Sequence, residues 1–124
     1  MTPVRPEYSV KDHFTGKPPA LRALYDRLLA IVGGFGPIQE QANKTSIHLV
    51  RGSALAGVEV RKDCLLINIK SDRRIDSPRV EKAEQISAGR FHHRVRIRSL
   101  ADLDPQLRKW LNEAYALSGG RGKG

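Results

Sequence analysis

Apolar residues recur at helical spacing in two segments, one early in the chain and one near its end. The first segment lies between Pro18-Pro19 and Gly33-Gly34, and the second follows Asp104-Pro105. Because proline favours the start of a helix and glycine its end, both segments are predicted to be amphipathic helices. Their apolar positions are Leu21, Leu24, Tyr25, Leu28, Leu29 and Val32 in the first helix, and Leu107, Trp110, Leu111, Ala114 and Leu117 in the second.

Between these helices, apolar and polar residues alternate in four short segments, which is typical of strands with one buried face. In the first segment, Ile47 and Leu49 alternate with polar residues. Residues 57–60 and 65–69 form the next two, and the polar stretch between them is short enough for an antiparallel hairpin. The fourth segment is Arg94-Val95-Arg96-Ile97-Arg98.

Ser77-Pro78 has the residue types of a helix N-cap and first helical position, and it predicts a short helix through about Ile86. The predicted order is therefore α-β-β-β-α-β-α. This order indicates an α+β domain in which helices cover one face of a four-stranded antiparallel sheet. We expect a single domain over residues 18–118, between a flexible N-terminal segment, residues 1–17, and a flexible glycine-rich basic tail, residues 119–124.

Charge and composition narrow the class of partner. The 124 residues include 22 Lys and Arg against 13 Asp and Glu, a formal net charge of +9, which favours a polyanionic partner. The lone cysteine, Cys64, excludes an intrachain disulfide and a multi-cysteine metal site, and fits a reducing compartment, so the cytoplasm is expected. The longest apolar helical run, residues 28–32, is far shorter than the roughly 20 residues that span a bilayer, so no membrane segment is expected.

The alternation in residues 94–98 is the strongest functional signal. It places three guanidiniums on one face of a strand and two β-branched apolar residues on the other. The leading hypothesis is a small non-enzymatic domain that binds nucleic acid or another polyanion through Arg90, His92, Arg94, Arg96 and Arg98. The structural alternative is a solvated strand, or one whose charges meet acids across the sheet, because neighbouring charges about 7 Å apart repel by only about 0.6 kcal/mol in water.

A second anion-binding candidate is the basic stretch that precedes the predicted short helix. Lys70, Arg73 and Arg74 would lie near the free amides at the N-terminus of that helix, where anions bind favourably. Asp72 and Asp76 lie in the same loop and would neutralise part of this charge.

Catalytic and metal chemistry receive little support. His92 and His93 are adjacent in a strand, so they point to opposite faces and do not converge on one ion. Glu59-Val60-Arg61 lacks the upstream acid that a metal-dependent nuclease needs. Cys64 has no histidine signature beside it. No catalytic residue, metal or cofactor is therefore assigned.

Two further hypotheses stay open. In the first, a pocket between sheet and helices uses His48, His92, Ser71 and Arg73 to bind, or to act on, a small anionic metabolite. In the second, the open face of the sheet forms a homodimer.

Several segments, in this order and spacing, resemble a family of bacterial domains, the domain-of-unknown-function family 5655, over about residues 8–118. At residues 89–93 this chain departs from the Gly-His-Trp-like turn that members often have. The resemblance implies no activity and no site residue. The segments that carry it are the helix over residues 20–32, Lys44-Thr45, Ala56-Gly57-Val58, Asp76-Ser77-Pro78-Arg79 and residues 99–104.

Overall fold

A computed structural model describes residues 8–119. Within this range the chain forms three α-helices and six β-strands, with one turn of 3-10 helix at Leu100–Asp102. The helices are α1 (Val10–Phe14), α2 (Pro19–Gly33) and α3 (Pro105–Gly119). The strands are β1 (Gln39–Ala42), β2 (Ile47–Arg51), β3 (Ser53–Val60), β4 (Leu65–Ser71), β5 (Val80–Ser87) and β6 (Arg90–Ile97).

The strands form a single antiparallel sheet in the order β1-β2-β3-β4-β6-β5. Helix α3 packs across β2, β3 and β4, and α2 packs beside α3. The core lies between these helices and the sheet, because the residues of one strand face are buried there together with the apolar stripes of both helices. The sheet contributes Ile47, Leu49, Val58, Leu65, Ile67, Ile69, Val95 and Ile97 to this core.

The α+β class and the antiparallel sheet are confirmed, but the predicted sheet of four strands is wrong, because the described residues form six. The predicted short helix from Ser77 to about Ile86 is instead the edge strand β5. Ser77 and Pro78 form only a turn, in which the Val80 amide donates to the Ser77 carbonyl at 3.0 Å. The chain then pairs with β6 across a tight turn at Gly89, whose φ of 76° is accessible to glycine without strain.

Strand β1 was not predicted, because its four residues are polar or small and mostly exposed, without apolar alternation. It forms because β2 offers an edge with which it pairs from Gln39 to Ala42. Tyr25 of α2 helps to hold it, since the buried Tyr25 hydroxyl donates to the Glu40 carboxylate at 2.5 Å. Burial is the main reason that the pKa of the Tyr25 phenol is raised, and the hydrogen bond to Glu40 raises it further.

Helix α1 lies within the segment that was predicted to be flexible. Ser9 caps it through a reciprocal capping box with Asp12. Phe14 at its end packs against Tyr25, with ring centroids 5.3 Å apart. The described part of the N-terminal segment is therefore in contact with the core. Residues 1–7, and the predicted tail beyond Gly119, lie outside the described residues.

Arg79 joins the loop before β5 to the start of α3. Its guanidinium donates to the Asp104 carboxylate and to the Asp102 carbonyl, each at 2.7 Å. Asp104 also caps α3 by accepting from the Leu107 amide at 3.0 Å. The hydrogen bond from the Leu107 amide is the main reason that the pKa of Asp104 is lowered. The contact with Arg79 lowers it further. Two of the segments that carry the family resemblance, residues 76–79 and 99–104, thus meet through this one side chain.

Replacing Arg79 by methionine should lower the free energy of unfolding by about 2 kcal/mol, because two charge-assisted or partly buried hydrogen bonds are lost while most of the aliphatic packing is kept. Urea denaturation measures this change. Arg108→Met is the matched control, since Arg108 is exposed on α3 and should cost little. Equal effects of the two variants would show that Arg79 does not hold the loop to the helix.

Candidate functional site

The face of the sheet opposite the helices carries a row of residues that the strand register aligns. His48 on β2 pairs with Gly57 on β3, which pairs with Asn68 on β4, which in turn pairs with Arg94 on β6. Lys82 on β5 lies opposite Arg94 at the end of the row. These positions alternate with the buried ones, so pleating alone brings them to one surface.

A parallel row lies two residues further along the strands. It runs from Lys70 on β4 through His92 on β6 to Glu84 on β5. Between and around the two rows is a concavity of about 300 Å³, which we call the sheet-face pocket. Its ionisable and amide lining is contributed by His48, Glu59, Asn68, Lys70, Glu84, His92 and Arg94.

Gly57 leaves room on this face for the imidazole of His48. A Cβ atom at position 57 would lie 3.2 Å from Cδ2 and 3.6 Å from Nε2 of that ring, so the ring lies over the glycine. The other ring nitrogen, Nδ1, lies 3.2 Å from the Asn43 side-chain amide nitrogen and accepts from it. With Nδ1 as the acceptor, Nε2 is the ring nitrogen left to donate, and it lies above Gly57.

Arg94 is the side chain with the clearest unused hydrogen-bonding capacity. Its Nε is buried and has no hydrogen-bond partner among residues 8–119. Arg96, two residues further on, is the opposite case: it donates to both oxygens of Glu81 at 2.7 and 3.2 Å, and to the Cys64 sulfur at 3.1 Å. The bond to Glu81 raises the pKa of Arg96, and the same bond lowers the pKa of Glu81.

Lys70 and His92 bring further donors to the pocket. Lys70 donates to the Ser53 hydroxyl at 3.0 Å, and partial burial, with the nearby charge of Arg90, lowers its pKa. His92 lies at the exposed surface of β6, and the partial desolvation of its ring is the main reason that its pKa is lowered. Glu84 opposes this shift, and the charges of Lys70 and His48 reinforce it.

The predicted alternation of β6 is confirmed, but the predicted arginine set is divided. Arg94 and Arg96 lie on the open face, while Val95 and Ile97 are fully buried beneath it. Arg96 is occupied by Glu81, an acid on the neighbouring strand. Arg90 and Arg98 lie at the ends of the stripe. Arg90 starts β6 at the Gly89 turn, and Arg98 follows its last residue.

The second predicted anion site loses its structural basis, because β5, and not a helix, follows the loop. Arg73 pairs instead with Glu113 on α3 at 3.3 Å. Arg74 lies over the ring of Phe91, 5.8 Å from its centroid. Lys70 alone of that predicted trio lines the sheet-face pocket.

The predicted pocket between sheet and helices is likewise found only in part. His48 and His92 do line one pocket, but it lies on the open face. Ser71 is buried on the helix side of β4 and Arg73 is bound to α3, so neither joins the two histidines. His93 lies in the core, where its Nε2 accepts from the Ile75 amide at 2.8 Å.

Sequence reasoning missed the two residues at the centre of the pocket. Gly57 and Asn68 were placed in predicted strands and were given no role in a binding site. The alternation of residues 65–69 already places Asn68 opposite the buried positions, so that signal was present. Which neighbours it would meet depended on strand order.

Within residues 8–119, no group of three or more His, Cys, Asp or Glu side chains is arranged to hold a metal ion. The helices of this part of the chain lack the combination of length and hydropathy needed to cross a bilayer. A family model described as "Domain of unknown function (DUF5655)" matches residues 10–118, which include every residue of the sheet-face pocket. No curated protein and no solved structure matches the chain.

Proposed function

Because the chain belongs to the DUF5655 family, whose description names no activity, we propose a function from the site itself: the domain binds a compact anion, a phosphate or carboxylate group of a small ligand, in the sheet-face pocket. The observation that carries the proposal is the buried Nε of Arg94, which has no hydrogen-bond partner among the described residues. Because this Nε has almost no accessible surface, an anion in the pocket would bind this guanidinium through its terminal nitrogens, with charge-assisted hydrogen bonds.

The side chains around Arg94 favour the same ligand chemistry. His48 directs an N–H over Gly57, and Asn68 lies next to Arg94 in the register. Lys70 adds an ammonium group. Donors from three strands, β2, β4 and β6, thus surround one concavity, an arrangement suited to an oxyanion. The proposal is binding without catalysis, because the lining contains no activated nucleophile and no metal-binding cluster.

The size of the pocket favours a small ligand over a duplex. A volume of about 300 Å³ is at the lower end of the range for small-molecule sites. Glu59 and Glu84 line the same pocket, and Glu81 neutralises Arg96 beside it. Such acids oppose a long phosphate backbone laid across the face, whereas a small ligand can place its anionic group on Arg94 and Lys70 and direct hydroxyl or amino groups to the acids.

Replacing Arg94 by glutamine should weaken the binding of inorganic phosphate about tenfold to hundredfold, since charged hydrogen bonds contribute about 1.5–3 kcal/mol each. Chemical-shift titration of amide NMR signals measures the affinity and locates the site. Arg98→Gln is the matched control, because it removes the same charge from a residue beyond the end of β6 and outside the pocket lining.

Equal weakening in the two variants would show that phosphate responds only to net charge, and would contradict the site. So would an absence of phosphate binding at millimolar concentrations, or shifts confined to the helix side of the sheet. Unchanged thermal unfolding of Arg94→Gln establishes that the loss of binding is local.

A second candidate function is binding of nucleic acid or another polyanion to the wider open face. The observation that favours it is the continuation of positive charge from the pocket to Lys82 opposite Arg94, and to Arg90, which is near enough to lower the pKa of Lys70. With three to five phosphates neutralised, the logarithm of duplex-DNA affinity should fall with the logarithm of salt concentration at a slope of about −3 to −4.5. Binding that is insensitive to salt would exclude this candidate.

A further inference from the structure

Two imidazoles and an ammonium group share the sheet-face pocket, so its charge depends on protonation. His92 stands between Lys70 and Glu84 in the strand register, one cation and one anion on neighbouring strands. Its side chain is also near enough to His48 for the two rings to influence each other. The site proposed for an anion therefore contains a group that can gain a proton near neutral pH.

The charged and titratable groups that face His92 come from every strand around the pocket. Partial burial of the ring, together with the charges of Lys70 and His48, favours the neutral imidazole in the unliganded protein, although the charge of Glu84 opposes this effect. These groups are His48 on β2, Glu59 on β3, Lys70 on β4, Lys82 and Glu84 on β5, and Arg90 and Arg94 on β6.

An anion in the pocket reverses this balance. Its negative charge lies among the same cations and compensates them, and the protonated ring becomes a further charge-assisted donor to it. On this basis, and resting on the proposed function, we propose that anion binding in the sheet-face pocket is coupled to the uptake of a proton by His92.

The geometry distinguishes His92 from His48 as the group that takes up the proton. Nδ1 of His48 already accepts from the Asn43 amide, so a proton added there would meet a donor. His92 makes no side-chain hydrogen bond to another described residue, and Glu84 beside it stabilises a positive ring. His48 is therefore oriented by Asn43, and His92 is the group to which we assign the proton uptake.

The sign of the pH dependence follows from linkage. Because the complex holds one more proton than the free protein, affinity for the anion rises as pH falls. The rise is at most tenfold per pH unit for one proton, and it is confined to the interval between the pKa of His92 in the free protein, below the ordinary 6.5, and its higher pKa in the complex.

The test uses sulfate, which stays doubly charged across this range, whereas phosphate changes charge. Calorimetric titrations at about pH 6.5, in buffers of low and high ionisation enthalpy, report the number of protons taken up per sulfate bound. The wild-type protein should take up about half a proton, and its affinity should rise severalfold from about pH 8 to about pH 6. His92→Asn should bind sulfate with little proton uptake and a nearly flat profile.

His48→Gln is the matched comparison. It removes an imidazole from the same pocket, so it should weaken sulfate binding but keep the proton uptake. Sulfate binding without proton uptake in the wild type, or uptake that persists in His92→Asn, would overturn the coupling and leave the anion site standing. No sulfate binding at any pH would overturn both the coupling and the proposed function.

Discussion

Replacing His93 by glutamine should remove most of the stability that the wild-type protein loses when the pH falls below about 6.5. His93 is fully buried on the helix side of β6, and its Nε2 accepts from the Ile75 amide at 2.8 Å. A second proton on the ring would lie on Nε2 and meet that amide proton, so protonation breaks the bond. Glutamine can keep an acceptor for Ile75 and has no proton to gain.

The direction of the effect follows from the pKa of His93, which burial lowers first and the charge of Arg74 lowers further. The backbone of Ile69 opposes this shift in part, although the ring makes no hydrogen bond to it within ordinary geometry. The unfolded chain keeps the ordinary value near 6.5 and binds more protons below it. The stability from the neutral ring is thus complete above about pH 6.5 and is lost on acidification by up to about 1.4 kcal/mol per pH unit.

Urea denaturation of the two proteins at a series of pH values measures this difference directly. Between about pH 6.5 and about pH 5, the change in stability comes from histidine titration. The pKa values of Glu81 and Asp104 are lowered, so the stability that these carboxylates contribute is lost only below their ordinary pKa values of 4.5 and 3.8. His92→Asn is the comparison on the exposed face and should remove a smaller share. Parallel stability curves for wild type and His93→Gln would contradict the prediction.

The two long helices could be predicted closely from the sequence. Prolines, glycines and apolar spacing indicated a helix between Pro18-Pro19 and Gly33-Gly34, and the structure has it at Pro19–Gly33. The last helix begins at Pro105, as its Asp104-Pro105 signal indicates. Both predictions are correct because the helical period and the caps are local properties of the chain, and burial against the sheet follows from them.

Strand β5 was mistaken for a helix because its local preferences favour one. Glu, Lys, Ala and Gln in residues 81–85 are good helix formers, and Ser77-Pro78 supplies a plausible start. Pairing with β6 overrides these preferences, since an edge strand is stabilised by its neighbour more than by its own composition. Its two register shifts and its exposed charges are typical of an edge protected against further pairing.

The candidate site shows the same division between local and non-local information. Alternation was enough to place Arg94 and Arg96 on the open face. It could not show that Glu81, on the neighbouring strand, occupies Arg96 and not Arg94, because that depends on a bulge between Val80 and Lys82. Nor could it bring His48 to the same pocket as His92, which requires β3 and β4 to lie between their strands. The sequence indicated which residue types form the site, but it did not indicate which of them lie close together.

Replacing Gly57 by valine should abolish sulfate and phosphate binding while leaving the protein folded. The glycine lies in the interior of β3 and is not among the described glycines of positive φ, so a side chain meets no backbone strain there. Valine also favours strands. Its Cβ, however, would lie 3.2 Å from Cδ2 of His48, so the imidazole must move from its place over β3.

The rest of the valine side chain would project into the pocket, beside Asn68 and toward Arg94 in the same row. The variant thus removes the His48 donor and fills the anion's place at once, which is why its effect should exceed that of losing Arg94 alone. Titration with sulfate and a thermal unfolding curve separate occlusion from unfolding.

Two comparisons complete this argument. Gly57→Ala adds only the Cβ, so the His48 ring needs to shift by a few tenths of an ångström, and affinity should fall less than with valine. Gln85→Val places the same valine in an exposed position of β5, outside the pocket lining, and should bind sulfate normally. A folded Gly57→Val protein that binds sulfate as tightly as Gln85→Val does would mean that anions bind elsewhere, because no anion could keep its contacts over position 57 with that volume filled.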